Sequence, residues 1–244
     1  MSRWHDSISQ RVRDVVLRHY LVPYSRFGLD AGLVPHLPRC TPVTLVDIGA
    51  NRGDFAAAVE AHCGLRSALL VEPQPPLAEG LKARFPGPEI QVHSVALSDT
   101  EGRASLDVLA ADSCSSLLTV KPDQGFSGRS IDTSVVARHD VALTTLDHLL
   151  AQAGWSQPID LLKIDTQGTE LQVLRGAAHA LARVRLLWIE VSFVSLYEQD
   201  VLFPELHAFL RPLGFRLYSL HDVFRAANRE LLQADALFLG PLEP

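Results

Sequence analysis

The sequence predicts an α/β fold, with a seven-stranded, mostly parallel sheet, helices on both faces, and a helical extension at the N-terminus. Three observations predict it. Short β-branched or leucine-rich runs alternate with stretches of helical spacing, as βαβ units require. Most of these runs are continuously apolar, as in strands covered by helices on both sides. The chain has 244 residues, 47% of them apolar and 20% charged, which suits one large α/β domain.

The elements follow in chain order. A helix is expected over 2–20, with Trp4, Ile8, Val12 and Val15 near one face and Arg3, Arg11, Arg13 and Arg18 elsewhere. Packing on the domain or in a homodimer contact is the commoner use of such a face, ahead of a membrane surface. Pro23, Pro35, Pro38 and Pro42 then break the pattern, so residues 1–42 form the extension and 43–244 the domain. Strands are expected at 44–50, 67–72, 90–97, 160–165, 185–191, 215–220 and 236–239, with helices at 55–62, 75–85, 146–153 and 170–182. The segment 102–140 is more polar and serine-rich, and reads as a long irregular connection of the kind that closes over sites.

Composition excludes several functions. With 22 Lys+Arg against 28 Asp+Glu the formal charge is −6, which disfavours broad nucleic-acid binding. No run approaches the roughly 18 apolar residues of a membrane span, and the N-terminus lacks a compact secretory leader, so a cytoplasmic location is expected. Cys40, Cys63 and Cys114 are widely spaced and form no C-x-x-C pair for zinc or a redox disulfide.

The strongest local feature is the apolar strand ending Val46-Asp47-Ile48-Gly49-Ala50-Asn51-Arg52-Gly53. In an open parallel sheet, ligands bind beyond the carboxyl ends of the strands, and this turn would line that crevice. Gly49 and Gly53 allow close backbone approach, and Asn51 tolerates positive φ. Asn51 stands where the dinucleotide fingerprint needs its middle glycine against pyrophosphate, which argues against NAD. A cofactor without phosphate, such as S-adenosylmethionine, makes no such demand. Glu72 closes the next strand 23 residues beyond Gly49, near the offset of about 20 at which an acid accepts both ribose hydroxyls.

Four blocks carry a family resemblance: Asp47-Ile48-Gly49-Ala50-Asn51-x-Gly53, Val71-Glu72-Pro73, Ala96-Leu97-Ser98-Asp99, and Leu162-Lys163-Ile164-Asp165-x-Gln167-Gly168-x-Glu170-x-x-Val173-Leu174. From about residue 44 to about residue 240 the chain resembles the FkbM-type S-adenosylmethionine-dependent methyltransferases. The resemblance implies a class I methyltransferase (Rossmann-like) sheet with its last strand antiparallel, and O-methylation of a hydroxyl on a sugar, glycan or secondary metabolite. It would put Asp47, Gly49 and Asn51 by the methionine part, Glu72 on the ribose, Asp99 with Ser98 near the adenine, and Ser115 and Ser116 in a serine-rich stretch closing over the cofactor.

Asp165 and Glu190 end neighbouring strands and are expected close together, where one pKa rises or a cation is recruited. Two roles are open to the pair: general base toward the acceptor hydroxyl, or oxygen ligands for Mg²⁺. Lys163 shares a strand face with Asp165, so the two are expected to pair. Glu170 sits in the first turn of a helix, where the macrodipole alone favours an acid. His221, beside Asp222, is a further candidate base. A nucleotide-dependent oxidoreductase lacks a Tyr-x-x-x-Lys pair here, and a non-catalytic methyltransferase-like binding module is the third reading.

Overall fold

The computed structural model describes residues 28–111, 115–121, 132–226 and 228–242. The helix expected over 2–20, and the dimer contact assigned to it, lie outside the described residues. The domain opens with β1 (Val43–Ile48), every residue of which is buried. There follow α1 (Asp54–Cys63), β2 (Leu65–Val71), α2 (Pro75–Arg84) and β3 (Ile90–His93). After an excursion described below come α3 (Leu146–Gln152), β7 (Ile159–Ile164), α4 (Glu170–Arg175), α5 (Ala178–Leu181) and β8 (Val184–Ser192). The chain closes with α6 (Phe203–Leu210), β9 (Arg216–Arg225) and β10 (Leu231–Leu239).

The main sheet has seven strands in the order β3-β2-β1-β7-β8-β10-β9. Neighbours from β3 to β8 are parallel, whereas β10 runs antiparallel to both β8 and β9. This is the Rossmann-like order of class I methyltransferases, with its last strand reversed. The pleat sends alternate residues to opposite faces, and each face has its own core. Ile48, Ile164, Ile189 and Phe238 belong to one, and Leu45, Leu161, Leu186 and Leu237 to the other. Leu29, Leu33 and Leu37, from within the extension, complete the second core. None of the helices among the described residues is long and apolar enough to cross a membrane.

The segment 102–140 departs from its expected irregularity. It contains β5 (Gly102–Leu109) and most of β6 (Val135–Thr144), which pair antiparallel and join β4 (Ala96–Leu97) in a second, three-stranded sheet. These strands alternate exposed and half-buried residues, so they lack the continuous apolar run that marks the main sheet. The strand expected over 90–97 accordingly splits between the two sheets.

The helix expected over 170–182 breaks at Gly176. A Cβ there would stand 2.1 Å from the Ser98 carbonyl oxygen, so the helix surface must stay bare where the chain crosses it. Asp147 then caps the N-terminus of α5, accepting from the His179 and Ala180 amides at 2.8 Å each.

Leu162 lies at the centre of the sheet and is fully buried. Leu162→Ala should cost about 2–5 kcal/mol, by lost transfer energy and an unfilled cavity. Urea unfolding checks this, and a loss below about 1 kcal/mol would contradict the packing described.

Candidate active site

Successive strands run outward from β1 in one direction through β2 and in the other through β7, so the order reverses between β1 and β7. Such a switch point leaves a crevice beyond the carboxyl ends of the strands. The corner after β1 is shaped for it. The Gly49 and Ala50 amides both donate to the Val71 carbonyl at 3.0 Å, and Gly49, Asn51 and Gly53 have φ of 75°, 47° and 79°. A Cβ on Gly49 would lie 1.9 Å from the Asp165 carbonyl oxygen, so only glycine lets the ends of β1 and β7 meet there.

Glu72 stands at the end of β2, 3% exposed. Its carboxylate accepts from the Asn51 amide at 2.8 Å and the Gln74 amide at 2.9 Å, joining the corner to the start of α2. Burial raises its pKa, and the two amides work against that. A carboxylate has about four acceptor sites, so two remain for a ligand after these bonds.

The cleft encloses about 660 Å³ of empty space, including its open mouth. Ile48, Val71, Val95, Leu97, Leu106 and Leu117 supply an apolar lining, while Asn51, Glu72, Gln74, Ser115, Ser116 and Asp165 supply polar groups. No lysine or arginine lines it among the described residues. Its outer wall is the second sheet together with the serine stretch. Ser116 pairs with Asp107 and donates from Oγ to the Gln167 carbonyl at 2.6 Å, while Ser115 Oγ accepts from the Leu109 amide.

Behind the corner, the Lys163 ammonium donates to the Gly49 carbonyl at 2.8 Å and stands 3.4 Å from both Asp47 and Asp165. Burial alone would lower the Lys163 pKa, but Asp165 and Asp47 outweigh it and hold the ammonium above its ordinary range. Asp47 is fully buried, and burial raises its carboxyl. It therefore lies behind the cleft wall, with Lys163 between it and Asp165. Glu170 is a loop latch, accepting from the Thr166 and Gly168 amides at 2.9 and 3.1 Å.

Asp165 lines the cleft, and Glu190 on the neighbouring strand is joined to it through the Gln167 side chain. Burial, then Asp165 and Glu170, push the Glu190 carboxyl well up. Asp235, opposite Glu190 on β10, is pushed up to about 7 by burial and then by Asp165 and Asp222.

Several expected residues stand elsewhere. Gly53 caps the start of α1, and Ser98 and Asp99 sit on the surface beside the cleft, with Ser98 donating to Asp99 at 3.3 Å. His221 lies on β9, three strands or about 14 Å from β7, because β10 inserts between β8 and β9. It pairs with Asp30 at 3.0 Å and stacks on Trp188, which ties the 28–37 segment to the sheet. Sequence reasoning gave no role to Gln167, Tyr197 or Asp235. The one local signal was Gln167-Gly168, two successive residues with positive φ at a strand end.

The family model of the methyltransferase FkbM domain matches residues 47–217. The chain belongs to the FkbM methyltransferase family. It is 29% identical over 175 residues to the AMB antimetabolite synthetase AmbE of Pseudomonas aeruginosa, spanning 60% of this chain and only 8% of that protein. It is 26% identical over 197 residues to the 2-O-methyltransferase NoeI of Sinorhizobium fredii, covering 79% of this chain and 80% of that one. The crystal structure of the FkbM methyltransferase from Methylobacillus flagellatus superposes with a TM-score of 0.53 at 17% identity, covering 90% of this chain and 47% of that one. A putative S-adenosylmethionine-dependent methyltransferase from Listeria monocytogenes gives 0.51 at 10% identity, covering 86% of this chain and 96% of that one.

The raised Asp235 carboxyl carries a pH signature. It keeps its proton in the folded chain where the unfolded chain, near 3.8, has lost it, so its effect on stability worsens as pH rises from about 4 to about 7. Asp235→Asn should leave stability near pH 4 almost unchanged. At pH 8 it should gain about 2 kcal/mol, once the side chain's partial exposure is discounted. Urea unfolding at the two pH values checks this, and equal effects at both would contradict it.

Proposed function

We propose that this FkbM-family chain is an S-adenosylmethionine-dependent O-methyltransferase, acting in the cytoplasm on a hydroxyl of a sugar, glycan or secondary metabolite. The observation that carries the reading is the cleft at the switch point. A glycine corner and the Glu72 carboxylate frame an apolar slot whose described lining holds carboxylates and no lysine or arginine. Phosphate recognition draws on cations or a glycine-rich phosphate cradle, so this lining favours a nucleoside joined to a cationic, phosphate-free tail. The match to NoeI over four-fifths of both chains supports a hydroxyl as acceptor.

In this reading S-adenosylmethionine supplies a methyl group on a sulfonium, open to in-line attack. Glu72 would accept from the ribose hydroxyls with the lone pairs left by the Asn51 and Gln74 amides. The Gly49 and Asn51 backbone would border the methionine portion, and Ala96 and Leu97 of the cleft lining would border the base. Asp165, paired with Lys163 at 3.4 Å, would take the proton from the acceptor hydroxyl as the C–O bond forms and the methyl–sulfur bond breaks, a contribution of roughly 10²–10⁴ in rate. The rest is positioning. Between Asp165 and Glu190 stands the amide donor of Gln167, at 2.7 and 2.9 Å, where a bridging Mg²⁺ would need an acceptor. That arrangement does not suit a cation, and no step here runs through one.

Calorimetry with S-adenosylhomocysteine and with NADH tests the cofactor; tighter binding of NADH would overturn the reading. Glu72→Ala is expected to weaken S-adenosylhomocysteine by about 2 kcal/mol, through lost hydrogen bonds to a charged acceptor. In a screen of hydroxylated sugars with labelled cofactor, Asp165→Asn is expected to lower turnover by roughly 10²–10⁴ while the cofactor still binds. Undiminished turnover would remove Asp165 as the base.

A further inference from the structure

Gln167 is a buried residue whose four polar contacts, three through its side chain and one through its main-chain carbonyl, join both sides of the cleft. Its own φ of 57° and the 106° of Gly168 turn the chain back over the end of β7, so the side chain lies across the strand ends. The Nε2 group donates to Asp165 Oδ1 at 2.7 Å and to Glu190 Oε2 at 2.9 Å. Its Oε1 accepts from the Tyr197 hydroxyl at 2.7 Å, and its main-chain carbonyl accepts from Ser116 Oγ at 2.6 Å. The amide has one chemically sensible orientation. Reversed, its oxygen would face two carboxylates and its nitrogen would face a hydroxyl with no donor needed.

Both N–H groups of one nitrogen end on carboxylates from adjacent strands, so a single atom fixes their spacing. Gln233 donates to the same Glu190 oxygen at 3.1 Å from the other side. Other charged groups face the pair from every side: Lys163 on β7 stands 3.4 Å from Asp165, Asp47 lies on β1, Glu170 on α4 and Asp235 on β10. Only one of these is a cation, and burial together with the neighbouring acids pushes the Glu190 carboxyl well up. Tyr197 is fully buried and Ser116 is 2% exposed, so the clamp is anchored at both ends by groups held in place.

We infer that Gln167 is a positioning residue of this site, which sets the placement of Asp165 against Glu190 and ties that pair to the Ser116 wall of the cofactor cleft. The inference rests on the reading of Asp165 as the group that receives the acceptor's proton. It accounts for the Gln-Gly step, in which the amide aims the base and the left-handed backbone puts the amide there. When the wall seats on the Gln167 carbonyl, the carboxylates are placed by the same residue.

The test follows the side-chain carboxyl carbons of the whole chain by NMR from pH 4 to pH 9, with Asp165→Asn and Glu190→Gln to assign the two signals. Gln167→Met keeps the length and removes both donors, and Tyr197→Phe removes only the hydroxyl that fixes the amide. Losing donors to the ionised forms is expected to raise the lower titration step of the pair by about one unit in Gln167→Met, and by less, in the same direction, in Tyr197→Phe. The S-adenosylhomocysteine dissociation constant is expected to rise about three- to tenfold in Gln167→Met and in Ser116→Ala. A folded Gln167→Met protein with unmoved titration steps, whatever its melting temperature, overturns the inference. Should that variant not fold, unmoved steps in Tyr197→Phe overturn it instead. Failure of the unaltered protein to bind S-adenosylhomocysteine would sink the cofactor reading separately, since the titrations are measured without ligand.

Discussion

The site depends on one buried ammonium. Lys163 reaches from β7 under the glycine corner, donates to the Gly49 carbonyl, and lies between Asp47 and Asp165. Without it, Asp47 would be a carboxylate at 0% exposure with no compensating charge, a situation that costs several kcal/mol when one partner of a buried pair is lost. With it, two things are fixed together: the charge at the end of β1 and the path of the corner. Gly49 completes the arrangement, because any side chain there would collide with the Asp165 carbonyl and force the two strand ends apart. The Lys-Ile-Asp sequence on β7 and the Asp-Ile-Gly sequence on β1 are thus two halves of one contact, paired in register as Asp47 with Lys163 and Ile48 with Ile164.

The parts of this design that are local could be read from the sequence. Continuous apolar runs mark the strands of the main sheet, since each is covered on both faces. The glycine corner and Glu72 have the spacing of one βαβ unit, and the structure brings them together through the Asn51 amide. What could not be read is tertiary. β5 and β6 have no continuous apolar run, since their small sheet has one face toward the cleft and Leu106 and the other toward solvent. His221 sits within β9, level with Asp235, and only the insertion of β10 carries it away from Asp165. Gln167 is a short polar residue after a strand, with nothing in its neighbours to announce that it meets Tyr197, thirty positions on, and Ser116 on another sheet.

The electrostatics of the cleft and of the strand ends are of one kind. Glu72 and Asp165 follow the ends of β2 and β7, Glu190 and Asp235 face each other across β8 and β10 at the same edge of the sheet, and Lys163 is the one cation that the carboxylates at β1 and β7 share. Burial and mutual repulsion push the Glu72, Glu190 and Asp235 carboxyls up. A ligand bringing positive charge into such a place relieves that repulsion and gains from it, whereas one bringing phosphate would add to it. The same field bears on a reaction in which a sulfonium loses its charge: acids stabilise the cationic donor when it binds, so rate enhancement must come from elsewhere, from alignment and from acceptance of the proton.

That requirement gives the second sheet its place in the mechanism. The main sheet supplies the acids and the corner, but these occupy one side of the cleft, and alignment of two reactants needs a wall opposite. β5, β6 and the serine stretch form that wall, and they meet the main sheet at the Gln167 carbonyl and at the pairing of Val120 with Tyr197. Both contacts fall on residues that also hold the carboxylate pair. A wall seated elsewhere would share no partner with the acids; seated here, Ser116 and the two carboxylates are all bonded to Gln167. The price of that linkage is the left-handed φ of Gln167, a small strain of the kind that persists where the surrounding contacts over-determine it, while Gly168 takes its positive φ freely.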